Sequence, residues 1–343
     1  MLSEESLSCD MKELGLQNAD VFRALEGKTL FISGATGLIG SSIIKAISIN
    51  SPSARIVAFT RDQNKGKKIF QGYEKNILFV TGDIREPVVF DGQIDYIIHA
   101  ASETSSKSFV ERPVDVIEIA LVGTKNILEF ARQKCVKGFV YLSSMEVYGA
   151  PHSDEKISES HGTDLDTMSA RTSYPESKRL CESLCTAYAS QFEVPAKVVR
   201  LTQTFGPGVQ YNDGRVFAEF SRCVIENRDI VLHTKGETKR NYLYTLDAVS
   251  AILTVLTKGK PSEAYNAANE ATYCSIYEMA QLVAQKIALG KIQVKIEETD
   301  ITTFGYAQTL HMNLDTTKLK GLGWQAKTDL GTMFTKTIKS LNH

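Results

Sequence analysis

The stretch "FISGATGLIGSSIIKAI", Phe31 to Ile47, sets Gly34, Gly37 and Gly40 between a short apolar run and a segment with helical spacing. A glycine at every third position of such a junction permits a tight turn. It also lets a ligand approach the backbone and lets the helix pack close to the strand. The first turn of that helix offers free N–H groups and a partial positive charge, so an anion is the natural guest. The stretch predicts a pyrophosphate cradle at the start of a βαβ series, with Thr36, Leu38 and Ile39 joining the three glycines against a dinucleotide.

Working outward, "TLFIS" (29–33), "RIVAFT" (55–60), "ILFVTG" (77–82), "YIIHAA" (96–101), "GFVYLSS" (138–144) and "AKVVRLT" (196–202) are continuous and rich in β-branched or aromatic residues. Strands buried on both faces have that composition, and helical patterns fall between most of these. The fold class is therefore α/β, a doubly wound parallel (Rossmann) sheet. After residue 205 the alternation breaks at "FGPGVQYNDGR", which predicts a smaller C-terminal α/β lobe. Three regions are expected: an N-terminal helical extension over 1–27, a dinucleotide-binding domain over 28–205, and a mainly substrate-binding lobe over 206–343. A part of the last, about 241–262, should return to the first domain. In the extension, Leu7, Met11, Leu14, Val21 and Leu25 recur at roughly helical spacing and predict an amphipathic helix within 4–25 docked on the main body.

The 343 residues carry 43% apolar and 23% charged side chains, with a net charge of −1. Nothing in that balance attracts nucleic acid or an anionic membrane, so neither is expected as a partner, and anions must be caught locally. No apolar run approaches a membrane span and the acidic N-terminus does not resemble a signal peptide, which predicts a cytoplasmic protein. The six cysteines include no C-x-x-C pair and are read as free thiols, and no metal site is expected. Two helical patterns have broad apolar faces: Ile117, Ala120, Leu121, Thr124, Leu128 and Ala131 on one, and Leu180, Leu184, Ala187 and Tyr188 on the other. What the sheet leaves uncovered there predicts a homodimer built on a helix pair.

The strand ends carry the chemistry. After the second strand, where an acid would read the ribose hydroxyls of NAD, stand Thr60 and Arg61, with Asp62 beyond. Arginine suits a ribose phosphate, while Asp62 is close enough to reach back to the ribose hydroxyls, so the cofactor is NAD or NADP with a mild lean to NADP. Asp83 and Ile84 are placed to meet the adenine, and Ala100 and Ala101 are small enough to let the cofactor pass. At the fifth strand's end lies Ser144. In "SYPESKRL" Tyr174 and Lys178 stand one helical turn apart, on one face. Moving hydride from a carbinol carbon requires removal of the hydroxyl proton, and a phenol with a pKa near 10 is a poor base at neutral pH. Lys178, together with a positive nicotinamide ring, is expected to stabilise the phenolate, while Ser144 holds the substrate oxygen.

Gly34-Ala35-Thr36-Gly37-Leu38-Ile39-Gly40, Ser144, Tyr174 and Lys178, with "YLSSMEVYGAP" and "RLTQTFGPG" around them, resemble the extended short-chain dehydrogenase/reductases of the nucleotide-sugar epimerase/dehydratase group, from about residue 27 to about 340. The resemblance implies a nucleotide-sugar substrate and roles for further residues. Ser102 would join the cofactor site, and Thr104 and Gln203 the substrate site. "KGETKRNYLYTLDAV" puts Arg240 on the substrate pyrophosphate and Asp247 in a structural role. "NDGRVFAEF", similar to a stretch of the UDP-glucuronate decarboxylases, adds Arg215, and Glu146 falls on the family's active-site glutamate.

Departures from the family bear on the reaction. Met145 stands where 4,6-dehydratases have a proton-donating Asp and decarboxylases a Ser; Ala120 and Gln203 replace asparagines that lie near the substrate in the family. A thioether donates no proton, so 4,6-dehydration is disfavoured. Epimerisation at carbon 4, as in the UDP-glucose 4-epimerases, asks least of the side chains and is the first expectation. A ketoreductase or a decarboxylase-like enzyme is the alternative, and a dinucleotide-binding sensor is the alternative outside catalysis. Retention of Ser144, Tyr174 and Lys178 together speaks against the sensor.

Overall fold

The computed structural model describes residues 2–298 and 309–342. Its strands are β1 (Thr29–Ser33), β2 (Arg55–Thr60), β3 (Ile77–Thr81), β4 (Tyr96–His99), β5 (Gly138–Ser144), β6 (Ala196–Leu201), β7 (Gln203–Phe205), β8 (Ile230–Leu232), β9 (Lys239–Tyr244), β10 (Ala264–Ala267), β11 (Asn269–Ser275), β12 (Val294–Ile296) and β13 (His311–Met312). The α-helices are α1 (Leu2–Gln17), α2 (Ala19–Leu25), α3 (Leu38–Asn50), α4 (Gln63–Ile69), α5 (Ser106–Glu111), α6 (Pro113–Lys134), α7 (Ser173–Phe192), α8 (Val216–Ile225), α9 (Thr245–Lys258), α10 (Ile276–Leu282), α11 (Thr317–Lys320) and α12 (Leu330–Leu341).

Seven parallel strands form the main sheet in the order β10-β6-β5-β4-β1-β2-β3. The six strands read from the sequence all lie in it. The third, fourth and sixth end at Thr81, His99 and Leu201 rather than at Gly82, Ala101 and Thr202, because there the chain leaves the sheet to line a cleft. The seventh strand, β10, was not read. It is four residues long and reaches the sheet edge only through α9, so the return to the main sheet runs past residue 262.

Side-chain alternation along β1 divides the core. Leu30 and Ile32 face a layer containing Met11 of α1, Ile43 and Ile47 of α3, and Val249 and Ile252 of α9. Phe31 faces the opposite layer, with Ile127 and Leu128 of α6 and Cys181 and Cys185 of α7. The N-terminal segment is two helices rather than one. The chain turns at Asn18, whose side chain donates to the Leu14 carbonyl (2.9 Å), and Met11, Leu14, Val21 and Leu25 are buried as their spacing implied.

The smaller sheet runs β11-β9-β13, and β7 pairs with Tyr242–Tyr244 of β9 on the same edge as β13. Asp247 at the start of α9 accepts from the Lys327 and Thr328 N–H groups (3.1 and 3.0 Å), tying this helix to the C-terminal segment. Among the described residues no helix is long and apolar enough to cross a membrane, and no group of His, Cys, Asp and Glu could hold a metal ion.

Candidate active site

The chain departs in opposite directions from β1, to β2 and β3 on one side and to β4, β5 and β6 on the other. A parallel sheet opens its crevice at the carboxyl ends beside such a switch. Gly34 leaves β1 with φ +67°, and a Cβ placed on it would stand 2.7 Å from the Ala100 carbonyl carbon and the Ala101 nitrogen. Only glycine fits a left-handed turn so close to the next strand end. A Cβ on Gly40 would stand 2.3 Å from the Gly34 oxygen, which is how closely α3 sits under the turn. No acidic side chain occupies the first turn of α3, so its N–H groups face an anion unopposed. The turn has the space and the donors for a dinucleotide pyrophosphate.

The far wall is held by a buried relay. The Ala101 N–H donates to Ser33 Oγ (3.3 Å); Ser33 Oγ meets His99 Nδ1 (2.7 Å), and His99 Nε2 meets Thr124 Oγ1 (3.1 Å). Burial, helped by the Lys178 charge, pushes His99 down to about 3, so it is a neutral structural imidazole.

Gly34, Gly37, Ala100 and Ser102 line both halves of a single groove. In its adenosine half stand Thr36, Thr60, Arg61, Asp83, Ile84 and Ala101, together with Lys65 and Arg85, which sequence reasoning missed. Asp62 does not reach back: its carboxylate caps α4 by accepting from the Lys65 N–H (3.0 Å), and its own N–H donates to Thr60 Oγ1 (3.2 Å). Arg85 donates to both Asp83 oxygens (3.1 and 2.6 Å) and holds that carboxyl down to about 2.

In the other half, Leu38, Ile39 and Gly40 face Ser144, Glu146, Tyr174 and Lys178. Pro175 in the first turn of α7, where its missing N–H has no intrahelical partner to lose, helps fix where this helix starts. Tyr174 and Lys178 are 8% and 3% exposed. The Tyr174 ring stacks on Phe109 (centroids 4.3 Å apart, planes 8°), a contact the sequence did not suggest, and Ser144 lines the same groove, its hydroxyl acting to lower the phenol's pKa. Lys178 Nζ donates to the Leu142 carbonyl (2.7 Å) and lies 5.6 Å from the Tyr174 ring centre.

The protein's own groups raise the Tyr174 pKa: burial is the largest cause, followed by the Glu146 carboxylate, with the Ser144 hydroxyl and then Arg215 and Arg171 opposing, so the expected stabilisation of the phenolate rests on the positive nicotinamide ring as well as on Lys178. Burial also brings Lys178 down to about 8. A lysine bonded to a backbone carbonyl under the ring does not reach the phenol oxygen, and desolvation wins.

On the substrate side, Thr104, Gln203 and Arg215 line the same half of the groove. Gln203 Oε1 is buried without a hydrogen-bond partner among the described residues. Arg215 is paired with Asp213 (2.5 Å), and Glu146 with Arg171 (3.4 Å), whose guanidinium lies over Phe109. Arg171 was missed although it stands one turn before Tyr174. Met145 is buried in the wall, its sulfur accepting from Thr202 Oγ1 (3.3 Å). Arg240 does not join the groove. It lies on β9 of the smaller sheet, paired through its backbone with Cys274 and Met312, and its side chain makes no hydrogen bond or ion pair among the described residues.

A glycine-turn cleft facing a Ser-Tyr-Lys set defines a nicotinamide-dependent dehydrogenase-type protein. The model of the NAD dependent epimerase/dehydratase family matches residues 30–268, and the chain belongs to that family. UDP-glucuronic acid decarboxylase 1 of Xenopus tropicalis is 28% identical over 264 residues, 77% of this chain and 61% of the frog protein, less than two thirds of that relative. dTDP-D-glucose 4,6-dehydratase of Homo sapiens is 27% identical over 321 residues, 91% of this chain and 89% of the human one. The solved UDP-glucose 4-epimerase of Thermotoga maritima, with UDP-glucose, superposes with a TM-score of 0.77 at 20% identity, covering 91% of this chain and 98% of that one. Three named reactions share this fold, so the reaction has to be argued from the site.

Proposed function

We propose that the chain moves hydride at a carbinol carbon of a nucleotide sugar, most simply as a 4-epimerase. The carrying observation is the convergence of Ser144, Tyr174 and Lys178 on one groove, with Lys178 beneath the Tyr174 ring and the first turn of α3 on the facing wall. A bound nicotinamide supplies reversible hydride acceptance. Tyr174 Oη takes the proton of the sugar hydroxyl and returns it, and Ser144 Oγ holds the reacting oxygen. Lys178 adds a positive charge below the ring at neutral pH. Gln203 Oε1, buried and without a partner, is an acceptor for a sugar hydroxyl. Thr104 and Arg215 are further substrate contacts in the groove, and Arg240 is a candidate for the pyrophosphate from the smaller lobe.

The Met145 thioether in the wall weighs against 4,6-dehydration. Glu146, kept beside Tyr174, supports the decarboxylase-like alternative, the activity named for the frog relative among others. The ketoreductase alternative draws on the adenosine half, where Arg61, Lys65 and Arg85 gather while Asp62 is spent on capping α4. Proton NMR of a panel of nucleotide sugars, uronic acids included, with catalytic NAD and NADP decides among these. A new sugar spectrum without net cofactor consumption is the expected result. Turnover only with keto sugars and stoichiometric NADPH would replace the epimerase by a ketoreductase.

The same basic cluster sets the cofactor. Arg61→Ala is expected to weaken NADPH by about tenfold more than NADH, the worth of one charge-assisted contact to a phosphate. Cofactor titrations check this, and equal losses for the two would remove Arg61 from phosphate reading. As for assembly, Ala120, Thr124, Leu128 and Ala131 are buried in the monomer, leaving Val114, Ile117 and Leu180 as exposed apolar side chains on α6 and α7. That residue of the two faces supports a homodimer.

A further inference from the structure

We propose that Glu182 and Arg200 are positioning residues for this site, a buried pair that fixes α7 on the tip of β5 so that Lys178 and Ser144 keep their register. The proposal rests on the roles given above to Tyr174, Lys178 and Ser144.

The two side chains are each 13% exposed and meet fork to fork. Arg200 Nη2 donates to Glu182 Oε2 (2.6 Å), and Nε donates to both carboxylate oxygens (3.0 and 3.2 Å). Glu182 lies one helical turn beyond Lys178, and its Oε1 also accepts from Ser143 Oγ (2.6 Å), the residue before Ser144 on β5. The helix is therefore bound to the strand end at two consecutive points, Lys178 on the Leu142 carbonyl and Glu182 on the Ser143 hydroxyl. Both points lie immediately before Ser144 on β5, across the groove wall that Ser144 shares with Tyr174.

The other side of Arg200 anchors the pair to the rest of the molecule. Nη1 donates to Tyr148 Oη and to the Glu159 carbonyl (both 2.8 Å). Tyr148 Oη donates to Asn266 Oδ1 (2.7 Å), whose amide in turn donates to the Ile157 and Asp315 carbonyls (2.9 and 3.1 Å). One chain of bonds thus joins α7, β5, β6, β10 and the turn that carries Met145 and Glu146. Taking two charges out of water costs about as much as their attraction returns, so apolar residues would serve stability as well. What apolar residues could not do is hold a strand end and a helix at one fixed offset through directed bonds. The pair also acts at a distance, since the Glu182 carboxylate opposes the burial that brings Lys178 down.

The test uses the full chain labelled with 13C at lysine Cε, with the Lys178 resonance assigned by its loss in Lys178→Arg. Glu182→Gln is expected to move the Lys178 titration to lower pH and the alkaline limb of the kcat profile with it. It should lower kcat about 10- to 100-fold while cofactor affinity stays within about threefold. Glu182→Asp should recover part of the loss. Arg200→Gln, which leaves the carboxylate unopposed, should not move the titration downward. Lys197→Met removes a buried donor to the Leu256 carbonyl (2.8 Å) away from the groove, and should lower Tm without moving the pH profile. If Glu182→Gln lowers only Tm, as Lys197→Met does, and leaves the Lys178 titration where it was, the pair is merely structural and the proposal falls. Should Glu182→Gln not fold, the Glu182→Asp titration and profile decide by the same criteria. The titration reads Lys178 whether or not any sugar turns over, so its outcome is separate from that of the catalytic assignment, which Tyr174→Phe tests.

Discussion

Tyr174→Phe is expected to lower turnover by about 10³-fold or more while leaving cofactor affinity within about tenfold. The substitution removes one oxygen and keeps the ring, so the stack on Phe109 at 4.3 Å and the burial of the first turn of α7 persist. What disappears is the acceptor for the sugar hydroxyl proton beside Ser144. A factor of 10³ corresponds to about 4 kcal/mol of barrier, within reach of a single well-placed general base. Because the proton moves only as the reaction proceeds, kcat and kcat/KM should fall together, with KM little changed. Steady-state rates on the active nucleotide sugar, alongside fluorescence titration with NADH and NADPH, make the measurement. Full activity in the variant would mean that another group takes the proton, and Glu146 would be the first to examine, since its carboxylate acts directly on Tyr174.

Much of this arrangement was legible in the chain because it depends on local pattern. Buried parallel strands are continuous apolar runs, and "TLFIS", "RIVAFT" and "GFVYLSS" coincide with β1, β2 and β5 residue for residue. Ser144, Tyr174 and Lys178 were found because a strand end and an i, i+4 pair are sequence-local features. The rest depended on the third dimension. Phe109 stacks on Tyr174 across 65 positions' separation of chain, and no periodicity forecasts which aromatic ring a loop helix will lay against a phenol. Arg85 joins Arg61 and Lys65 only because β2 and β3 end side by side. How strongly burial acts on Tyr174 and Lys178, and that the lysine is turned to a backbone carbonyl, were equally invisible in the spacing of the two residues. Asp62 was left free to reach the ribose, but its position before α4 makes it a helix cap.

Gly40→Ala is expected to destabilise the fold and to weaken dinucleotide binding by about 100-fold, although helix propensity alone predicts the opposite sign. Gly40 is in the first turn of α3, and replacing a helical glycine by alanine ordinarily favours the helix by about 1 kcal/mol. Here the new methyl would stand 2.3 Å from the Gly34 carbonyl oxygen and 2.9 Å from its carbon. Those are backbone atoms of the turn itself, and the Ala100 and Ala101 backbone leaves no room even for a Cβ on Gly34, which would stand 2.7 Å from it, so the turn has little space into which to give way. The helix must move instead, and overpacking of this kind costs about 1–3 kcal/mol, enough to outweigh the propensity gain. A shift of α3 carries its N–H groups off the pyrophosphate, which is why binding should suffer more than stability. Gly331, in the first turn of α12, supplies the comparison: its added methyl would meet only an Asp329 carboxylate oxygen at 3.2 Å, and Gly331→Ala should hold or raise Tm. Thermal unfolding and cofactor titration of the two variants together separate propensity from contact. If Gly40→Ala matched Gly331→Ala in both measurements, the close approach of α3 to the turn would not be what holds the cradle in shape.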